Sequence, residues 1–188
     1  MFRYIRGEAG SAPRPALFLD RDGVLNRRNI DGYVIEPSDF EAVDLAWDAA
    51  EAAQKAGAAL VVVTNQGGIG RCRATESHVM VIHALLLAAL SKRGIVLDGI
   101  YTCPHHPQSL DLAQRDCRCR KPKPGLIVAA AHDLNLDLTA SILIGDQPSD
   151  MAAARAAGIA DDRALLVGGP APTDLAQVVR NAWGTSGP

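Results

Sequence analysis

No apolar run in this chain is long enough to cross a bilayer. The longest, residues 79–90, is interrupted by His83 and falls short of the roughly 20 residues a spanning helix needs. The first fifteen residues are polar, carry Pro13 and Pro15, and lack the apolar core of a secretory signal. A cytoplasmic protein is therefore expected. Neither charge is in excess: 19 Lys and Arg against 21 Asp and Glu leave a net charge of −2. That balance offers no phosphate-tracking stripe for nucleic acid and no basic face for a membrane. Cysteines are few, and four in 188 residues do not look like a disulfide framework. Internal repeats and long low-complexity linkers are also missing. A single domain over 1–188 is expected, with its core at about residues 16–168.

What is present is an ordinary globular composition, 48% hydrophobic and 21% charged. Strand-like and helix-like patterns alternate. Strands are expected at residues 16–19, 59–63, 99–102, 141–144 and 164–167. Helices are expected at residues 45–56, closed by Gly57, and 75–92, capped by Thr75 and stopped by Gly94. Three more are expected at 124–134, opened by Pro124, at about 149–158, capped by Ser149, and at 173–183. Residues 103–123 read as irregular. Such alternation implies an α/β fold with a doubly wound parallel sheet. Leu85, Leu86, Leu87 and Leu90 read as core packing. His78, His83 and His132 lie on the expected helices and read as structural or surface residues.

The chemistry collects at strand ends. The first strand runs into Asp20-Arg21-Asp22-Gly23, the second into Thr64-Asn65, and the fourth into Gly145-Asp146 with Asp150 four residues on. Parallel strands bring these ends to one edge, where open α/β sheets hold ligands. A calcium loop opening at Asp20 would need glutamate at its twelfth position, where Asp31 stands, so that template fails. Arg120-Lys121-Pro122 adds cations just before a helix. Carboxylates, a hydroxyl, an amide and a lysine on one rim suit phosphoryl transfer, because a carboxylate reaches a phosphate only once positive charge neutralises it. Asp20 and Asp146 could hold Mg²⁺, Thr64 and Lys121 the non-bridging oxygens, and Asp22 could move the proton.

Taken in order, Asp20-x-Asp22-Gly23, Thr64-Asn65-Gln66, Lys121-Pro122 and Gly145-Asp146-x-x-x-Asp150 resemble the haloacid dehalogenase (HAD) superfamily of phosphatases. The resemblance implies a HAD-like Rossmannoid fold and an aspartyl-phosphate on Asp20. It makes Asp22 the general acid and base, and Thr64 and Lys121 the stabilisers of the phosphoryl group. Mg²⁺ would sit on Asp20, the backbone carbonyl of Asp22, and Asp146, with Asp150 in support.

The segment between Cys103 and Lys121 adds three thiols and two adjacent histidines, His105 and His106. Three thiolates and one imidazole make a closed tetrahedral site suited to structural Zn²⁺. This zinc loop resembles the D-glycero-D-manno-heptose 1,7-bisphosphate 7-phosphatases, to which histidinol-phosphate phosphatases are related. The family pattern implies the ligand set Cys103, His105, Cys117 and Cys119. It also implies a substrate rim that includes Asn29, Asp31, Gly32, Tyr33, Asn65, Gln66, Arg71 and Arg120, with Arg120 suited to a second substrate anion. The chain departs from the pattern at Cys72, where glycine is usual, and at Gln147, where lysine is frequent. Its loop from Asp22 to Gly32 is about two residues longer than expected. No stretch has room for a large cap domain.

The resemblance thus implies a Mg²⁺-dependent phosphomonoesterase, active as a monomer on a small phosphorylated sugar. Removal of the 7-phosphate of the heptose bisphosphate is the first expectation and histidinol phosphate the alternative. Outside enzymes, the alternative is an inactive phosphatase fold whose zinc loop docks a partner, against which Asp20, Asp22, Lys121 and Asp146 argue.

Overall fold

The computed structural model describes residues 1–6, 10–30, 32–168 and 174–184. Strand β1 (Phe2–Ile5) comes first, then β2 (Ala16–Leu19), α1 (Trp47–Lys55) and β3 (Ala59–Asn65). Helix α2 (Glu76–Ser91), β4 (Gly99–Cys103), α3 (Gly125–Leu134) and β5 (Ile142–Gly145) follow. The chain closes with α4 (Pro148–Ala157), β6 (Ala164–Leu166) and α5 (Leu175–Trp183). One six-stranded sheet has the order β1-β4-β3-β2-β5-β6. Five strands are parallel, as the alternation of elements requires. The sixth, β1, runs antiparallel along the free edge of β4. It was not expected, because a four-residue edge strand in a polar segment, half-exposed along its length, gives no clear apolar alternation.

Strands β2, β3 and β5 are buried on both faces, which is why they read as unbroken apolar runs. Side chains alternate between the faces. Leu17, Leu19, Leu60, Val62 and Ile144 enter a core shared with the alanines of α1 and with Val179 of α5. Phe18, Val61, Val63 and Leu143 enter the other core, with Leu126 and Ile127 of α3 and Ala153 and Ala154 of α4. Of the four leucines expected in the core, Leu86 and Leu90 are buried, while Leu85 and Leu87 are only partly covered.

The pairing register positions the site. Leu19 lies beside Val62 on β3 and beside Ile144 on β5. The residues that follow these three strands therefore emerge at one edge. Capping differs from expectation at two helices. Gln147, not Ser149, is the N-cap of α4, sharing a reciprocal capping box with Asp150, because Pro148 already occupies the first helical position. Helix α3 starts at Gly125 with Pro124 as its N-cap. Thr75 caps α2 as expected, accepting from the His78 amide. The expected start of the last helix, Thr173, lies outside the described residues, and Asp174 caps α5. Among the described residues no helix is long and apolar enough to cross a membrane.

The three helix histidines separate in the structure. His78 helps cap α2 and His132 is exposed, whereas His83 is buried and its Nε2 has no hydrogen-bond partner among the described residues. Burial, helped by the Arg21 charge, pushes its pKa down to about 3. The unfolded chain then binds a proton that the folded chain refuses at any pH between that value and about 6.5. Stability contributed by the neutral ring is whole above about pH 6.5 and falls by about 1.4 kcal/mol per unit below it. His83→Leu removes this dependence. Between pH 6.5 and 5 the variant should gain about 2 kcal/mol on the wild type in denaturant titrations, and parallel pH profiles would contradict the assignment.

Candidate active site

Asp20 leaves the end of β2 with its amide on the carbonyl of Ile144, so its place is set by sheet pairing. Its carboxylate meets the ammonium of Lys121 at 2.8 Å. Lys121 Nζ also contacts Asp150 at 2.7 Å and donates to the carbonyl of Val63 at 2.7 Å, so all three of its protons are used. Burial pushes the Asp20 carboxyl up to about 7; Asp150 adds to the rise and Lys121 opposes it. Burial works against the Lys121 charge as well, but Asp20 and Asp150 together outweigh it and raise its pKa. The backbone of Lys121 is held by Asn65, whose side chain donates to the Lys121 carbonyl and accepts from its amide, both at 3.1 Å.

Two residues on, Asp22 meets a different environment. The Arg21 guanidinium is fully buried and grips the Asp22 carboxylate through Nε and Nη2 at 2.9–3.2 Å. Asn26 Nδ2 donates to it at 2.9 Å and Gln66 Nε2 at 2.8 Å. Burial pushes this carboxyl up, but the Arg21 charge and these donors win, holding it below the usual carboxylate range. The turn is tight because the amides of Val24, Leu25 and Asn26 all point at the Arg21 carbonyl. Gly23 has φ +94°, and the Asp146 carboxylate packs where its Cβ would be, so only glycine fits. Gln66 Nε2 also donates to Thr64 Oγ1 at 2.9 Å, which leaves the buried Thr64 hydroxyl proton free for an anion.

Asp20, Asp146 and Asp150 bring carboxylate oxygens within 4.8 Å of one another. Asp146 Oδ1 is buried without a partner among the described residues, while Oδ2 accepts from Arg28 and from Gln147 Nε2, each at 3.2 Å. Hard oxygen donors at this spacing, one of them unsatisfied, fit a divalent cation such as Mg²⁺. Asp150 is already engaged by Lys121 and by the Gln147 amide at 3.0 Å, which suits a supporting role behind Asp20 and Asp146.

The zinc-loop residues form a second cluster. Cys103, Cys117 and Cys119 and the Nδ1 of His105 converge at separations of 3.3–3.8 Å along their shorter edges. Those are the edges of a tetrahedron with metal–ligand lengths of about 2.0–2.3 Å, so the donor set fits Zn²⁺. His106 points elsewhere, its Nδ1 accepting from the Gln108 amide. The Arg120 amide donates to Cys117 Sγ at 3.3 Å, tying the cluster to the residue next to Lys121.

The carboxylates and Lys121 open into a cleft of about 320 Å³, small and concave as expected of a small-molecule site. Of the expected rim, Asn29, Gly32, Tyr33, Asn65 and Arg120 line it. Gln66 and Arg71 do not. Gln66 lies behind the wall on Asp22 and Thr64, and Arg71 contacts the Tyr33 hydroxyl at 3.4 Å. Asp31 lies outside the described residues. Arg21, Asn26 and Arg28 were not expected. A charged residue inside a turn carries no mark that it will be buried, and neither Asn26 nor Arg28 belongs to a recognisable motif.

Known proteins match this chain in both sequence and shape. A family model described as HAD-hydrolase-like matches residues 118–179. The D-glycero-beta-D-manno-heptose-1,7-bisphosphate 7-phosphatase of Salmonella typhi is 44% identical over 157 residues, covering 83% of this chain and 82% of that protein. A crystal structure of a HAD-like phosphatase from Mesorhizobium loti superposes with TM-score 0.85 at 32% identity, covering 95% of this chain and 92% of that one. The D,D-heptose 1,7-bisphosphate phosphatase of B. bronchiseptica, solved with magnesium and phosphate, gives 0.73 at 31% identity, covering 89% and 97%. Fold, motif order and site chemistry together define a phosphoric monoester hydrolase of the HAD type. Within that class, the chain belongs to the family of the heptose-bisphosphate phosphatases.

The Asn65 contacts make a testable demand. Asn65→Ala removes both bonds that fix the Lys121 backbone while sparing every charge in the cleft. Phosphatase kcat should fall about 10- to 100-fold, with the melting temperature lowered by only a few degrees. Unchanged kcat would show that the zinc loop alone fixes Lys121.

Proposed function

We propose that this protein removes the 7-phosphate of D-glycero-D-manno-heptose 1,7-bisphosphate through an aspartyl-phosphate on Asp20. The observation that carries the reading is the buried Lys121 ammonium against Asp20, with Asp22 two residues on in an opposite electrostatic setting. The identity and coverage of the relatives support the substrate.

Asp20 attacks phosphorus with the oxygen that Lys121 does not hold. Lys121 and the Thr64 hydroxyl face the non-bridging oxygens, whose charge gathers as the bond to the leaving oxygen breaks. Mg²⁺ on Asp20, the Asp22 carbonyl and Asp146 supplies the positive charge that lets a carboxylate approach a phosphate dianion. The arriving dianion raises the proton affinity of Asp22, which protonates the leaving sugar oxygen. Left as a carboxylate, and held by Arg21, Asn26 and Gln66, Asp22 then takes a proton from water as that water attacks the acyl phosphate. Phosphate leaves and Asp20 is restored. Cys103, His105, Cys117 and Cys119 would hold a structural Zn²⁺, which would fix Arg120 and Lys121 beside the cleft. The site is complete within one chain, which supports a monomer, and the sugar substrate suits a cytoplasmic enzyme.

Two measurements test the proposal. Phosphate release with Mg²⁺ from heptose bisphosphate, histidinol phosphate and a 3′-phosphorylated oligonucleotide should favour the first by a large factor, and Asp20→Asn should abolish it. Dominant release from histidinol phosphate, or normal turnover by Asp20→Asn, would refute the substrate or the nucleophile respectively. Metal analysis should find about one zinc per chain, and Cys117→Ala should lose the metal together with several degrees of melting temperature. A zinc-free preparation that is folded and fully active would refute the clamp.

A further inference from the structure

We propose that Arg28 holds the second anionic group of the substrate and so sets the preference for a bisphosphate over a monophosphate. The inference rests on the sugar-bisphosphate reading above. Three cations line the cleft among the described residues: Lys121, Arg120 and Arg28. Lys121 is buried and spent on Asp20, Asp150 and the Val63 carbonyl, the place of the reacting phosphate. Arg120 stands by the end of β3, with Nη1 donating to the His105 carbonyl at 3.0 Å and its amide on Cys117. Arg28 stands by the end of β5, and its side chain is 47% exposed.

Among the described residues, the one polar contact of the Arg28 guanidinium is Nη1 to Asp146 Oδ2 at 3.2 Å. Asp146 is also a carboxylate whose geometry fits a divalent cation. A divalent cation taken up by the unsatisfied Asp146 Oδ1 would repel the guanidinium beside it. Arg28 then faces the cleft with no other carboxylate of the described residues in ion-pair reach. A planar fork of N–H donors beside a small polar cleft is satisfied best by phosphate oxygens taken two at a time. An arginine on an exposed loop can swing between the two partners without disturbing the core. Ion pairing this exposed is weak for stability, so the side chain is free to serve binding.

The test compares wild type with Arg28→Gln and Arg28→Lys, as the full chain in Mg²⁺. Substrates are D-glycero-D-manno-heptose 1,7-bisphosphate and the 7-monophosphate. Arg28→Gln should raise KM for the bisphosphate about tenfold, equivalent to about 1.4 kcal/mol, with kcat changed less than about twofold. KM for the monophosphate should not move, and Arg28→Lys should recover part of the loss. A readout without turnover uses the product that keeps the second phosphate. Calorimetric affinity for heptose 1-phosphate should drop about tenfold in Arg28→Gln, while that for inorganic phosphate stays constant. Equal KM shifts on both sugars, or unchanged product affinity, overturn the inference. So does tighter Mg²⁺ binding in Arg28→Gln with neither sugar affected, which would leave Arg28 a partner of Asp146 alone. A variant matching a wild type that cleaves the bisphosphate refutes this inference by itself. A wild type that ignores the bisphosphate refutes the functional reading as well.

Discussion

The ammonium of Lys121, buried between Asp20, Asp150 and the Val63 carbonyl, is the contact on which the remaining site depends. Two carboxylates this close and this dry could not both stay ionised without it. Removing one partner of a buried charge cluster costs on the order of 3–5 kcal/mol, because the other charges are left uncompensated. The same ammonium lines the cleft, where its charge faces an entering anion. One interaction thus holds the sheet edge together and prepares it for chemistry, and several structures converge on its placement. Asn65 grips its backbone, Cys117 holds the amide before it, and α3 begins just beyond it.

The Asp20–Asp22 turn shows how neighbouring identical residues acquire different work. Asp20 is pressed into the protein and raised to about 7, whereas Asp22 is surrounded by donors and held low. A pair of carboxylates pushed apart in this way has the electrostatic setting that a division of labour needs. Arg21 is the device that separates them. Its guanidinium lies fully buried beneath the turn and grips only the second aspartate.

The cysteine-bearing loop solves a problem of size. Residues between β4 and α3 form no long element, yet they must bring Arg120 and Lys121 to the cleft. Cys103 and Cys119 are buried in the core beneath α3, so the Cys/His cluster is anchored in packed side chains and not in solvent. Rigid placement of this loop matters because binding a small phosphorylated ligand leaves little tolerance for a misplaced cation.

Much of this was legible in the order of residues. Five parallel strands, the chemical strand ends and the four residues of the Cys/His cluster all follow from patterns of apolar runs and spaced motifs, since those patterns are local. Strand β1 was hidden because an edge strand needs only half a face of apolar residues. Asp20, Asp22, Thr64, Lys121 and Asp146 could be named from the chain, but their electrostatic states could not. Those states arise from burial and from how side chains fold onto one another, near in sequence as with Arg21 on Asp22 or 44 to 101 positions apart as with Gln66 on Asp22 and Lys121 on Asp20. Burial of Arg21 and His83 and the reach of Arg28 to Asp146 were likewise set by packing. The sequence by itself determined the reaction, because strand ends and their carboxylates are written along the chain. Only the tertiary structure decided which carboxylate is pushed up and which is held low, because proton affinity depends on burial and on neighbours that folding brings together.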